Sequence, residues 1–221
     1  MNLIETNKGM GSYYDQKYFD WQKRLGQIAV KRDYWKFYKF IKHDDVVLDF
    51  GCGGGYLLAA YKCKEKYGIE LNPSAQRVAI ENGLNAVETV NDLPKDVMFD
   101  LIISNHALEH VYNPLETIKS LYPRLKDTGK IVFYVPIKCR EERKYFEGDI
   151  NQHLHCWTPL LIGNLFATAG YKVKKARFVI HAWLPGSSYL HFIPNFLYHP
   201  MCFIWSILTD VKQVMIVAAK L

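Results

Sequence analysis

Apolar positions along this chain follow two rhythms. From residue 13 to about 42 they recur at helical spacing. Trp21, Leu25, Ile28 and Trp35 are separated by four, three and seven positions, and Tyr34, Phe37, Tyr38 and Ile41 mark a second apolar face. Short continuous apolar runs then take over, at 46–49, 67–69, 86–90, 99–104 and 130–135. Runs of that length and continuity predict strands buried on both faces. Between them the pattern predicts helices: one starting at Tyr56 and running to 62, one from Pro73 stopped by Gly83, and one opened by Asn113-Pro114 and running through Tyr122. A helix over 159–169 closed by Gly170, a long strand over 171–182 and a last strand over 213–219 complete the chain. Strands alternating with helices predict an α/β fold, a doubly wound and mostly parallel sheet with helices on both faces. In such sheets ligands bind at the carboxyl ends of the strands.

The sequence VVLDFGCGGGYLL, Val46 to Leu58, places four glycines among five positions directly after the first strand and ahead of the first helix of the sheet. Glycines there cost backbone entropy and add no packing, so a ligand must need bare backbone at that point. Three templates compete. A phosphate-binding P-loop requires GxxxxGK[ST], and no lysine follows, so that template fails. A dinucleotide fingerprint requires a small residue at the sixth position counted from Gly51, where Tyr56 stands, which weakens but does not exclude a nicotinamide-dependent oxidoreductase. The third template, acid-x-Gly-x-Gly-x-Gly, is matched at every position by Asp49, Gly51, Gly53 and Gly55.

Composition narrows the class. With 49% hydrophobic and 23% charged residues in 221, the chain has the balance of a single globular domain spanning 1–221. The net charge of +6 comes from scattered basic residues with no run of five like charges, so no nucleic-acid tail is expected, while an anionic substrate or surface is allowed. The cysteines (Cys52, Cys63, Cys139, Cys156, Cys202) show neither CxxC nor zinc spacing and read as reduced thiols of a cytoplasmic protein. The first residues hold no apolar signal region, and the run Met201 to Leu208 falls short of the roughly 18 residues of a membrane span.

Asp49 to Gly55 resembles motif I of the class I S-adenosylmethionine (SAM) dependent methyltransferases. The likeness continues through Glu70 at the end of the second strand, Asn91-Asp92 after the third, the stretch FDLIISNHALEHVYNP around the fourth, and LHCWTPLLIGNLFATAGYKV, Leu154 to Val173, similar to the small-molecule subgroup that includes quinone-biosynthesis methyltransferases. It covers roughly 45–182. The resemblance implies a Rossmann-like, seven-stranded sheet with an antiparallel last strand, and SAM as cofactor with S-adenosylhomocysteine as product. The cofactor-binding set it implies is Asp49, Gly51, Cys52, Gly53, Gly55, Glu70, Leu71, Asp92, Leu93 and Asn105. In this set Glu70 holds the ribose hydroxyls, which one carboxylate can do because each of its oxygens accepts hydrogen bonds. Asp92 and Leu93 flank adenine, and Asn105 lies near the reacting centre. No metal is implied.

Methyl transfer from a sulfonium is mostly positioning. A hydroxyl acceptor also benefits from a base, and His106, His153 and His155 are the candidates, with His110 read as capping the loop after the fourth strand. His153 and His155 alternate on extended chain, so only one can face the site. Ser104-Asn105-His106-Ala107 lacks the Pro-Pro of exocyclic-amine methyltransferases, which disfavours a nucleobase. The expected acceptor is a small molecule, first a hydroxyl of a sugar or of a polysaccharide or lipid-linked precursor, then a quinone-like ring. A non-catalytic SAM-binding partner protein remains open. The aromatic segment 1–44 reads as a helical lid. Residues 184–212, where the fold usually has a tight hairpin, form a long apolar connection broken by Pro185, Pro194 and Pro200. It could wall the acceptor pocket, form a homodimer contact, or meet a membrane surface, which would make the protein peripheral there.

Overall fold

A computed structural model of the chain describes residues 16–137, 145, 147, 149 and 152–221. Residues 1–15 of the expected lid, and Cys139, lie outside the described residues. A long helix, α1 (Gln16–Arg32), precedes the alternating part: β1 (Val46–Phe50), α2 (Tyr56–Ala59), β2 (Glu65–Ile69), α3 (Pro73–Glu81), β3 (Asn85–Val87), β4 (Phe99–Asn105), α4 (Pro114–Leu121) and β5 (Leu125–Pro136). Then follow α5 (Pro159–Thr168), β6 (Tyr171–Val179), α6 (Asn195–Thr209) and β7 (Gln213–Lys220). The seven strands form one sheet in the order β3-β2-β1-β4-β5-β7-β6. The first five pair in parallel, and β7 runs antiparallel to both β5 and β6. The expected mostly parallel seven-stranded sheet is therefore present, with β7 the antiparallel last strand.

The buried runs explain the sheet. Every residue of β1 is buried, and successive residues feed opposite layers. Leu48, Ile102, Ile131 and Phe133 pack in one core, and Val47, Leu101, Ile103 and Val132 in the other. Chain order reverses between β1 and β4, which are direct neighbours with Asp49 opposite Ile103. That reversal opens a crevice at the carboxyl ends of the two strands. Gly51 to Gly54, and Asn105, His106 and Glu109, face it from the two sides.

Several boundaries differ from the apolar pattern, each for a physical reason. The N-terminal helix stops at Arg32 rather than about 42, and a 3₁₀ turn at Tyr34–Lys36 follows, because Asp33 and Lys36 point inward to polar partners. The third strand ends at Val87, and Val90–Asp92 form a 3₁₀ turn held by a Thr89/Asp92 capping box. The fifth strand begins at Leu125 rather than 130, and a register shift between the Phe99 and Leu101 pairings carries it through Gly129. The connection 184–212 contains a helix, α6, that continues through Pro200. Its Tyr198, Cys202 and Ser206, four residues apart, are buried. That buried stripe compensates the hydrogen bond which proline cannot donate.

Candidate active site

The glycine loop leaves β1 and is pinned to the end of β2: Gly51 and Cys52 both donate their N–H to the Ile69 carbonyl, at 2.9 and 3.1 Å. Gly51 has φ +73, and a Cβ there would collide with the Ala107 methyl. Its bareness lets the loops after β1 and β4 close on each other. Gly53, at φ +54, has nothing within 4 Å of a Cβ position. Its side faces open space at the crevice, where a ligand can lie against backbone. Gly51→Ala combines a left-handed conformation with overpacking, and we expect it to cost about 2–4 kcal/mol in urea unfolding.

Glu70, just beyond β2, clamps this loop. One carboxylate oxygen accepts from the Gly53 N–H at 2.8 Å and the other from the Asn72 N–H at 2.8 Å. Each oxygen keeps a further lone pair, which is what a vicinal diol would need. Burial pushes the Glu70 carboxyl up from its ordinary value, and those backbone amides pull it back. Asp49, 5% exposed, is pushed up to about 8 by burial and by the neighbouring Glu70 charge. A buried acid held neutral beside an anion is a site waiting for a cation.

Across the crevice lies a polar cluster built from three distant segments. Lys36 Nζ donates to Asp33 Oδ2 at 3.1 Å and to Asn105 Oδ1 at 2.8 Å. Asn105 Nδ2 donates to Asp33 Oδ2 at 3.1 Å, and Trp183 Nε1 to Asp33 Oδ1 at 3.0 Å. Asp33 and Lys36 are both nearly inaccessible. Burial raises the Asp33 carboxyl, but the Lys36 ammonium, with the hydrogen bonds from Lys36 and Trp183, outweighs it and holds the group below its ordinary value. Burial pulls the Lys36 ammonium down and Asp33 raises it back. Breaking a buried pair strands a charge and costs roughly 3–5 kcal/mol.

His106 follows Asn105 with φ +57, a left-handed conformation uncommon for a residue with a side chain. Its N–H is tied to the Tyr134 carbonyl at 2.8 Å. The Gln213 amide donates to the His181 carbonyl at 2.8 Å, so its oxygen faces His106 Nε2 at 3.0 Å. Nε2 therefore carries the proton and Nδ1 is the acceptor. Nδ1 lies 3.7 Å from the buried Glu109 carboxylate. Burial, with Lys36 next, lowers the His106 pKa to about 3, so the imidazole is neutral at physiological pH.

These groups border one cleft of about 700 Å³. The structure brings Asp49, Gly51, Cys52, Gly53, Asn105, His106 and His153 to its walls. Gly55 sits behind them as the N-cap of α2, with φ +72, and Glu70 reaches the cleft through Gly53. Leu71 is half-buried beside Glu70. His153 stacks edge-on against His110, centroids 4.9 Å apart, and both line the cleft. His155 turns away, its Nε2 2.8 Å from the Val111 carbonyl. Asp92 is not brought to the cleft: its carboxylate accepts the Thr89 N–H and hydroxyl at 2.9 and 2.7 Å. The Leu93 side chain lies in the core, so only its backbone is available to a ligand. Reading the sequence missed Asp33, Lys36, Glu109, Trp183 and Gln213. For Asp33 and Lys36 a signal existed, two opposite charges three apart between aromatic residues.

A doubly wound sheet with an acid-terminated glycine loop at its switch point, and an acid closing the next strand, defines the fold of a SAM-dependent methyltransferase. The residues fit that cofactor: bare backbone at Gly53, lone pairs on Glu70, and a buried acid at Asp49. A family model for the methyltransferase domain matches residues 10–176, and the chain belongs to that family. Among curated relatives, the ubiquinone biosynthesis O-methyltransferase of Idiomarina loihiensis is 34% identical over 99 residues, covering 39% of this chain and 40% of the relative. That of Rickettsia prowazekii is 28% identical over 124 residues, covering 51% and 48%. The ribosomal protein L11 methyltransferase of Paraburkholderia phymatum is 34% identical over 99 residues, covering 41% and 32%. The chain thus spans about half or less of the length of these relatives. Among solved structures, a SAM-dependent methyltransferase of Thermotoga maritima, described as a possible histamine N-methyltransferase, superposes with a TM-score of 0.70 at 18% identity, over 96% of this chain and all of that one. A phosphoethanolamine-type N-methyltransferase of Haemonchus contortus, solved with S-adenosylhomocysteine, reaches 0.59 at 15% identity over 90% and 52%. At such identities the likeness is one of fold.

Proposed function

We propose that this protein transfers a methyl group from SAM to a ring hydroxyl of a small, flat, quinone-like acceptor. The observation that carries this reading is the cleft itself. One wall is the glycine loop, the opposite one holds a buried lysine and a neutral histidine, and indole and aliphatic side chains (Trp183, Trp205, Leu25, Pro185) close the remainder. Indole walls suit a flat apolar ring, and the polar cluster suits its oxygen. The relatives named as ubiquinone biosynthesis O-methyltransferases support the same class. A sugar or polysaccharide hydroxyl, the first expectation from the sequence, has no counterpart among the relatives described above.

When bound, SAM supplies a methyl group already activated on sulfonium. The chain's own residues do the rest. Asp49 and the loop amides hold the cofactor's amino acid end, and Glu70 its ribose. Lys36 uses two N–H groups on Asp33 and Asn105 and keeps a third for the acceptor oxygen, stabilising negative charge as the hydroxyl ionises. Nδ1 of His106, too weak a base at a pKa near 3 to carry the proton off, accepts a hydrogen bond that orients the hydroxyl, and the proton is released to bulk solvent as the ether forms. Lys36 is nearly inaccessible, so water screens it little.

The experiment offers methyl-labelled SAM with a catechol, a hydroxyquinol, an alkylamine and a sugar, and identifies products by mass spectrometry. We expect methyl ethers from the first two. His106→Gln should lower kcat about 10²-fold while leaving S-adenosylhomocysteine affinity within about threefold. Methylation of the amine or sugar alone would contradict the reading.

A further inference from the structure

Helix α6 and the turn before it present an apolar surface with no protein partner among the described residues. The helix, NFLYHPMCFIWSILT, contains no Asp, Glu, Lys or Arg. One stripe faces the core, yet Phe196, Phe203, Ile204, Ile207 and Leu208 are exposed, Phe196 and Leu208 by three-quarters. Tyr189 and Phe192, just upstream, extend the patch. Apolar surface this continuous marks a protein or membrane contact.

We propose that this face lies on an anionic lipid surface, with α6 in the plane of the headgroups. Length excludes a span: 15 residues cover about 22 Å against a hydrocarbon core of roughly 30 Å. No helix among the described residues is long and apolar enough to cross a membrane. Charge selects the occupant. Asp210 is the one acid of 184–212, and Lys212 already pairs with it at 2.6 Å. The patch is bordered by cations from α1: Arg24 lies 5.0 Å over the Tyr189 ring, and Lys31 Nζ donates to the His191 carbonyl at 2.8 Å. From 184–212 a second copy would offer these cations no acid other than Asp210, which Lys212 already holds. Anionic headgroups complement them, and apolar residues beside a basic rim are what interfacial helices use. The face is also continuous with the cleft, because Trp205 and Thr209 of α6 and Leu25 and Gly26 of α1 line it. A membrane-dissolved molecule could reach the cleft beside the bilayer. The docking claim stands whether or not the acceptor assignment holds.

The test sediments the full chain with phosphatidylcholine vesicles containing or lacking phosphatidylglycerol. We expect at least tenfold tighter binding to the anionic vesicles, loss of most of it at ~0.5 M salt, and weakening by Arg24→Glu. The double variant Phe203→Glu/Ile207→Glu should fall to the level of the neutral vesicles while keeping the parent's circular dichroism and S-adenosylhomocysteine affinity, which separates docking from cofactor binding. Failure of the parent to sediment, or equal sedimentation of the double variant, would overturn the proposal. So would a lipid-free dimer in analytical ultracentrifugation that the same substitutions dissociate, since the face would then belong to a second copy.

Discussion

Replacing Glu70 by alanine should weaken S-adenosylhomocysteine binding by at least tenfold, and by several hundredfold if both ribose hydroxyls are lost. Each charge-assisted hydrogen bond contributes about 1.5–3 kcal/mol, and the carboxylate can make two of them to a diol. The same change releases the Gly53 and Asn72 amides, which now rest on its two oxygens. Unfolding free energy should therefore fall as well, by about 1–3 kcal/mol for the amides left without an acceptor. Glu70→Gln separates the effects. The amide keeps one acceptor oxygen, so stability should partly recover, while ribose binding, which needs two acceptors, should not. Calorimetric titration beside urea unfolding reads both. Equal recovery of affinity and stability in the glutamine variant would mean that Glu70 is only a loop clamp.

Asp49→Asn should make the ligand-free protein more stable and the cofactor site worse. The folded pKa of Asp49, about 8, stands above the ordinary carboxylate value. A raised folded pKa means that the stability associated with the protonated group is complete below the unfolded pKa near 4. It is lost as pH rises through the window from 4 to 8. Asparagine does not titrate, so its advantage over the parent should grow across that window and level off above it, reaching on the order of 2–4 kcal/mol. Binding has the opposite sign. A cationic amino group near Asp49 favours the ionised carboxylate, so binding releases a proton, and parent affinity should rise between pH 6 and 7.5 by up to about tenfold per unit. The variant should bind more weakly and with a flat profile. Titrations in two buffers of different ionisation heat count the proton directly. A flat parent profile would remove Asp49 from the cofactor's cationic end.

The sheet was legible because its strands are continuous apolar runs, and the loop because glycines at Gly51, Gly53 and Gly55 after an acid have few other uses. The end of α1 was not legible. Trp35 and Phe37 continue the helical apolar period, while the chain breaks at Asp33 to bury a carboxylate against Asn105 and Trp183, contacts 72 and 150 residues away. No local pattern encodes them. The resemblance places Asp92 beside adenine, yet its carboxylate is taken by local donors on Thr89. Pro200 looked like a break in 184–212, but three buried residues at helical spacing hold α6 through it. Alternation allows only one of His153 and His155 to face the cleft, and the fold places His153 there while His155 meets the Val111 carbonyl.

The central claim is that one cleft, between the glycine loop and the Lys36 cluster, holds the cofactor with its methyl-bearing end toward Asn105 and His106. A crystal structure of the complex with S-adenosylhomocysteine tests it most directly. The account predicts both ribose hydroxyls within hydrogen-bonding distance of Glu70, the amino group at Asp49 and the loop, and the sulfur facing the side lined by Lys36 and His106. S-adenosylhomocysteine bound elsewhere, or lying in the cleft with its ribose away from Glu70, would contradict it.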